Sequence, residues 1–210
     1  TTTGVSNTFI GYAAGKENTT GAENTVVGSL AFDANTTGSN NVAVGRQALA
    51  VNTTADDNVA VGDNALQANT TGSQNTGLGT RAMLYTTTGS DNGNYALDNS
   101  STSSYNVAVG YGTLTQMTTG NSNTALGHRA SDASTTASNT VAVGTDALGS
   151  LTTGNANVAV GKDALTQLTT VSDMVAVGFK ALEQNTTGTH NTAVGAFSSD
   201  AITTGIRNTS

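Results

Sequence analysis

A glycine returns every 17 residues along most of this 210-residue chain. Gly11, Gly28, Gly45, Gly62 and Gly79 form one run, and Gly110, Gly127, Gly144, Gly161, Gly178 and Gly195 form another. One unit of 14 residues, Asn92 to Tyr105, separates the runs, and there Ala96 takes the place of the glycine. Twelve units result, with a stub at Asn208. Eleven glycines do not fall in register by accident, so the chain is an array of one small unit and must be read by column.

The residue before the glycine is apolar in every unit, as in Ile10, Val27, Val44, Leu78, Val109, Leu126 and Val194. Two residues earlier it is Val or Thr, except at Gly93. Positions i and i+2 share one face of a strand, and the position between them faces the other way. That middle column is mostly Ala: Ala43, Ala60, Ala108, Ala125, Ala142, Ala159, Ala176 and Ala193. A strand branched on one face and small on the other is expected to be buried on both, with something packed closely against the Ala side. After the glycine come two variable, often charged positions (Arg46-Gln47, Lys162-Asp163, Phe179-Lys180) and then a second apolar pair, Ala48-Leu49 or Ala164-Leu165. A Thr pair follows, and the Gly behind it, as at Gly38, Gly72 and Gly120, marks a turn.

No 3.6-residue spacing of apolar positions is sustained, so helix is excluded. An all-β solenoid remains, a parallel β-roll of about twelve coils, each bonded to its neighbours about 4.8 Å away, giving a rod on the order of 58 Å long. The whole of 1–210 reads as one such domain, with an irregular coil at 92–105. The Asn column (Asn7, Asn24, Asn41, Asn58, Asn75, Asn92, Asn106, Asn123, Asn157, Asn191) becomes a side-chain ladder along the rod. So narrow a core leaves little margin against chain entropy. Burial of the Ala face against sister chains, and therefore a homo-oligomer, is expected.

Composition enters where it excludes. Leu, Ile, Val and Phe number 38, too few for an ordinary oily core, while Thr (40), Gly (25) and Asn (23) dominate. The net charge of -7 has no basic block, which argues against nucleic acid as partner, and no apolar run is long enough to insert in a membrane. There is no Cys, hence no disulfide framework or thiolate metal site. The chain opens in mid-repeat at Thr1, as a segment of something longer would.

The motif Asn-x-Val/Ala-Val-Gly followed by an Ala-rich pair resembles the YadA-like head repeat of trimeric autotransporter adhesins, a left-handed parallel β-roll. Similar Asn-Thr-Ala-Val-Gly and Asn-Thr-Thr-Gly arrays occur in phage and viral tail fibres. The resemblance spans essentially the whole chain. It implies a homotrimer, a cell-surface, extracellular or virion location, and a stalk or adhesive role facing a host-surface protein or glycan. The family unit has about the 14 residues of Asn92–Tyr105, and the 17-residue units resemble that coil with three residues added near the Thr pair.

Nearly every polar residue belongs to a column, whereas an active site needs convergent, unrepeated groups. No catalytic, cofactor or metal residues are assigned and no enzyme activity is expected. His128 and His190 are expected to face solvent, and the eleven Asp residues show no calcium-loop spacing. The triplets at Asn18, Asn35, Asn52, Asn69 and Asn185, with Asn208, fit the glycosylation sequon, but keeping of a column explains them equally well. Tyr85, Tyr95, Tyr105 and Tyr111 lie in or beside the irregular coil. They read either as a receptor or glycan contact, or as Tyr95 filling a gap while the others cover a narrowed coil. The expected role is a structural and adhesive fibre segment. Alternatives are an ice-binding solenoid, for which adjacent Thr residues would put only one Thr per coil outward, and a filament that polymerises end to end.

Overall fold

The computed structural model describes residues 3–90, 93–94 and 102–210. Two compact units divide the chain, Thr1–Tyr105 and Asn106–Ser210. The described residues are all-β, without helix, and stack as a β-solenoid of about ten turns. The first unit carries β1 (Thr8–Ile10), β2 (Thr25–Val27), β3 (Val42–Val44), β4 (Val59–Val61), β5 (Thr76–Leu78) and β6 (Gly93–Asn94). The second carries β7 (Val107–Val109), β8 (Thr124–Leu126), β9 (Val141–Val143), β10 (Val158–Val160), β11 (Val175–Val177) and β12 (Thr192–Val194).

Within each unit every strand pairs in parallel with the next, residue i opposite residue i+17: Val42 with Val59, Thr76 with Gly93, Val158 with Val175. The glycine register read from the sequence is therefore the hydrogen-bond register. Bonds outside the strands follow the same step, for example Gly45 N–H to the Val27 carbonyl at 2.8 Å and Leu49 N–H to the Ala65 carbonyl at 3.0 Å. Each backbone group that faces along the axis finds its partner one coil away. The change of width or direction expected at coil 92–105, and Tyr95 with it, lies outside the described residues.

The side assignment of the strands is the reverse of the expected one. Ala43, Ala60, Ala108, Ala142, Ala159, Ala176 and Ala193 are completely buried inside their own coil, whereas the flanking Val, Leu and Thr columns point outward and stay half-buried or exposed. The Ala face is thus closed by the same chain and is not available to sister chains. The reason is the width of the coil. Opposite the strand, the Ala-Leu pair already fills the interior with Leu49, Leu66, Leu148, Leu165 and Leu182, and Leu114 does so after Thr113. A Cβ placed on Gly77, which stands in the Ala column, would lie 3.2 Å from Leu66 Cγ. A methyl fits there and most coils use Ala, while the second coil holds Val26, fully buried, with Phe32 at its Leu position.

Three corners close each coil, and each is a single residue in the left-handed region. In one coil they are Asn40 (φ +59°), Gln47 (φ +56°) and Leu49 (φ +51°), and the same three positions repeat down both units. Among the described residues, none of the 32 non-glycine residues with positive φ is Val, Ile or Thr, although these three types make up 61 of the chain's 210 residues. A β-branched side chain at such a φ collides with its own backbone, so the absence is steric. The repeat glycines serve a separate need: Gly45 holds φ +137°, and a Cβ on it would run into the carbonyl of Gly62 in the next coil.

Two substitutions separate these effects. Gly45→Ala is expected to lower stability by more than about 3 kcal/mol, since it combines strain with a blocked coil contact. Asn139→Val, at an exposed corner (φ +57°), is expected to cost about 1–2 kcal/mol, while Asn139→Gly changes stability little. Denaturant unfolding followed by circular dichroism measures all three, and an unchanged Asn139→Val midpoint would contradict the corner argument.

Candidate functional site

The interior contains polar ladders, one expected and one missed. Asn24 Nδ2 donates to Asn7 Oδ1 (3.1 Å), Asn41 to Asn24 (3.1 Å) and Asn58 to Asn41 (3.2 Å). Each Oδ1 also accepts the backbone N–H of the next Asn, at 2.9 Å in all three pairs. The second ladder is made by the sequon asparagines: Asn35 to Asn18 (2.7 Å), Asn52 to Asn35 (3.0 Å) and Asn69 to Asn52 (3.0 Å). Asn18, Asn35, Asn52, Asn69 and Asn185 are all buried, so a glycan on them is incompatible with the folded coil. Column-keeping is the reading of these triplets that agrees with the fold.

The Thr pairs differ from expectation. They lie in bends rather than in a strand, so alternation does not apply. The second Thr (Thr37, Thr54, Thr71, Thr136, Thr153) is exposed, and the first (Thr36, Thr53, Thr70, Thr135, Thr152) is half-buried but still reaches solvent. The hydroxyl of the first donates along the axis, as from Thr36 to the Thr53 carbonyl (3.0 Å) and from Thr152 to the Thr169 carbonyl (3.0 Å). Both Thr columns therefore reach solvent, against the single one expected.

The two positions after the repeat glycine vary from coil to coil, as do the fifth and sixth, and they collect the basic residues. Five of the seven Lys and Arg residues stand there (Arg46, Arg81, Arg129, Lys162, Lys180), in two of the 17 positions of the unit. Four of them are ion-paired on the surface: Arg46 with Asp63 at 2.9 Å, Arg129 with Asp132 at 2.9 Å, Lys162 with Asp163 at 2.7 Å and Lys180 with Glu183 at 2.8 Å. The hydrogen bond to Asp132 raises the Arg129 pKa above its ordinary value, and the hydrogen bond to Glu183 does the same for Lys180. Partly exposed surface pairs of this kind add little stability, so they shape the surface more than they hold the fold.

The tyrosines singled out in the sequence are exposed where described: Tyr85, Tyr105 and Tyr111, the last at 82%. They occupy three different columns of the repeat. Tyr111 stacks instead on His128, one coil on, with ring centroids 5.7 Å apart. His190, like His128, is exposed. The pair that sequence reasoning missed is Phe179 and Phe197, whose rings meet edge to face at 5.1 Å. Their separation is 18 residues, one coil plus one position, and that offset was the available signal.

No protein-family model, curated protein or solved structure matches the chain. The surface must therefore be read on its own chemistry. Among the described residues, no three His, Cys, Asp or Glu side chains gather as a metal site, and no helix is long and apolar enough to cross a membrane.

The ladders generate a paired prediction. Asn185 sits in the sequon column between Leu168 and Ile202, and both its amide atoms are buried without a partner. Asn185→Leu, which continues the column of Leu151 and Leu168, is expected to raise stability by about 1 kcal/mol. Asn52→Leu removes both ladder partners of Asn52 and is expected to cost about 2 kcal/mol. Thermal melts of the two variants beside the parent decide it, and equal shifts of one sign would refute the ladder account.

Proposed function

We propose that this chain is a structural segment of an extracellular or virion fibre, built as a homotrimer and used for attachment rather than catalysis. The observation that carries the reading is the outward face of the strands. Two columns of Val, Leu and Thr run in register down each unit, with Val107 at 46% and Leu126 at 47% exposure. A continuous apolar stripe on an otherwise polar chain is costly to leave in water and marks an interface. Its spacing is that of the coil itself, and a second copy of the chain carries the same spacing. The resemblance to adhesin head repeats supports three copies, related side by side, with the Val columns and not the Ala column between them. Narrow coils bury little apolar surface each, so covering this stripe adds the stabilisation that a single chain lacks.

A second reading is favoured by the Thr pairs. Two Thr columns reach solvent in register, a repeated array of hydroxyls and methyls that suits the ordered water of an ice surface. Thermal hysteresis and ice-shaping measurements test it directly.

Mass in solution tests the fibre reading. Light scattering is expected to give three chains per particle. Val143→Asp combined with Val160→Asp, both on the outward face, is expected to give folded monomers with the circular dichroism of the parent. A monodisperse monomer for the unmodified chain would overturn the trimer.

A further inference from the structure

We propose that Phe179 and Phe197, with Lys162, Asp163, Lys180 and Glu183 around them, form a docking site for a sugar ring of a neutral glycan. The two rings stand at 39% and 53% exposure, in columns that other coils fill mainly with polar or charged side chains. They meet at an interplanar angle of 88°. In that arrangement one face of one ring is used, and the Lys162 and Lys180 ammonium groups lie over the Phe179 ring. The C–H face of a pyranose packs on such a ring, because the ring face carries the negative end of its quadrupole and the sugar C–H groups carry positive charge.

The rim supplies the polar half of the recognition. Lys162 Nζ and Lys180 Nζ each lie 5.8 Å from the centroid of Phe179. Asp163 holds the first at 2.7 Å and Glu183 the second at 2.8 Å. Hydroxyls need donors and acceptors together, and these pairs offer both beside the aromatic platform, already oriented. Each ammonium is matched by a carboxylate, and the chain carries a net charge of -7, so an anionic polymer gains nothing from this surface. A neutral saccharide is the ligand that uses the rings and the paired charges at once. The site belongs to a single chain and stands whether or not the chain forms a fibre; in an oligomer its copies would add by avidity.

The test is a titration of the isotopically labelled chain with cellobiose, maltose and N,N'-diacetylchitobiose, read by amide chemical shifts and by saturation transfer from the phenylalanine rings. At least one sugar is expected to give saturable shifts confined to the segments 162–163, 179–183 and 196–198. The fitted affinity is expected to fall about tenfold in Phe179→Ala and in Phe197→Ala, and to stay unchanged in Tyr12→Ala, an exposed ring at the same column in the other unit. Absence of saturable shifts with all three sugars would overturn the site, as would shifts that persist unchanged in both phenylalanine variants. Loss of the oligomer in those variants would show that a second copy covers the rings, which also overturns it. A monomeric parent that still binds sugar would remove the trimer and leave this site standing.

Discussion

Everything in this chain follows from the requirement that each 17-residue coil satisfy its axial backbone groups on the coils above and below. Parallel strands lie about 4.8 Å apart, so every residue sits directly over its counterpart one repeat away. At that distance a side chain must suit not only its own coil but the copy stacked on it. Gly45 shows the strictest form, since the hydrogen in its Cβ direction already faces the carbonyl of Gly62. The asparagines show the constructive form, because an amide donates on one side and accepts on the other and so can bond to copies of itself without limit. A column that breaks this logic is visible at once. Met174 interrupts the first Asn ladder and takes the Asn157 bond only through its backbone N–H, at 3.0 Å.

The period, the parallel register and the first Asn ladder were legible from the sequence because they depend on position alone. The direction of the strands was not. Val-Ala-Val is the same alternating pattern whichever face is inside, and the ordinary preference for placing the larger apolar residue inward fails in a coil whose interior is already occupied by Leu. The corners contained the missing information. Leu and never Val or Ile follows Ala in the Ala-Leu pair, because that position holds a left-handed φ, as at Leu66 (φ +50°) and Leu182 (φ +49°). Leu is unbranched at Cβ and tolerates this backbone, and its presence in a chain rich in Val and Thr marks both a corner and the inward side. With Leu inward from the corner, the facing strand position is Ala in most coils, with Val26 in the coil of Phe32.

The interior admits changes of chemistry when volume is kept. Phe9 stands in the Ala column of the first coil, and its ring lies against Gly15, where other coils put Leu. The side chain has moved from one wall of the coil to the other. In the sequon column the first unit keeps Asn18, Asn35, Asn52 and Asn69, whereas the second places Met117, Leu151 and Leu168 at the same position. A hydrogen-bonded ladder and an apolar stack thus serve as equivalent fillings. A mixture depends on the polar side chain: Ser134, between Met117 and Leu151, donates to the Leu151 carbonyl at 3.1 Å, whereas Asn185, between Leu168 and Ile202, has both amide atoms unpaired.

This division of labour explains why function was the least legible part. Interior columns repeat because stacking compels them to, and repetition is what sequence reading detects. A recognition surface does the opposite. The two positions after the repeat glycine differ from unit to unit, within the limit that the second is a left-handed corner and takes no β-branched residue among those described. Phe179 and Phe197 belong to different columns, and only the one-position offset of successive coils brings their rings to 5.1 Å. Contacts of this diagonal kind are invisible to a search down columns and arise only where two departures from the repeat happen to adjoin. In an array held together by sameness, the places where neighbouring departures meet are where a partner can tell one coil from the next.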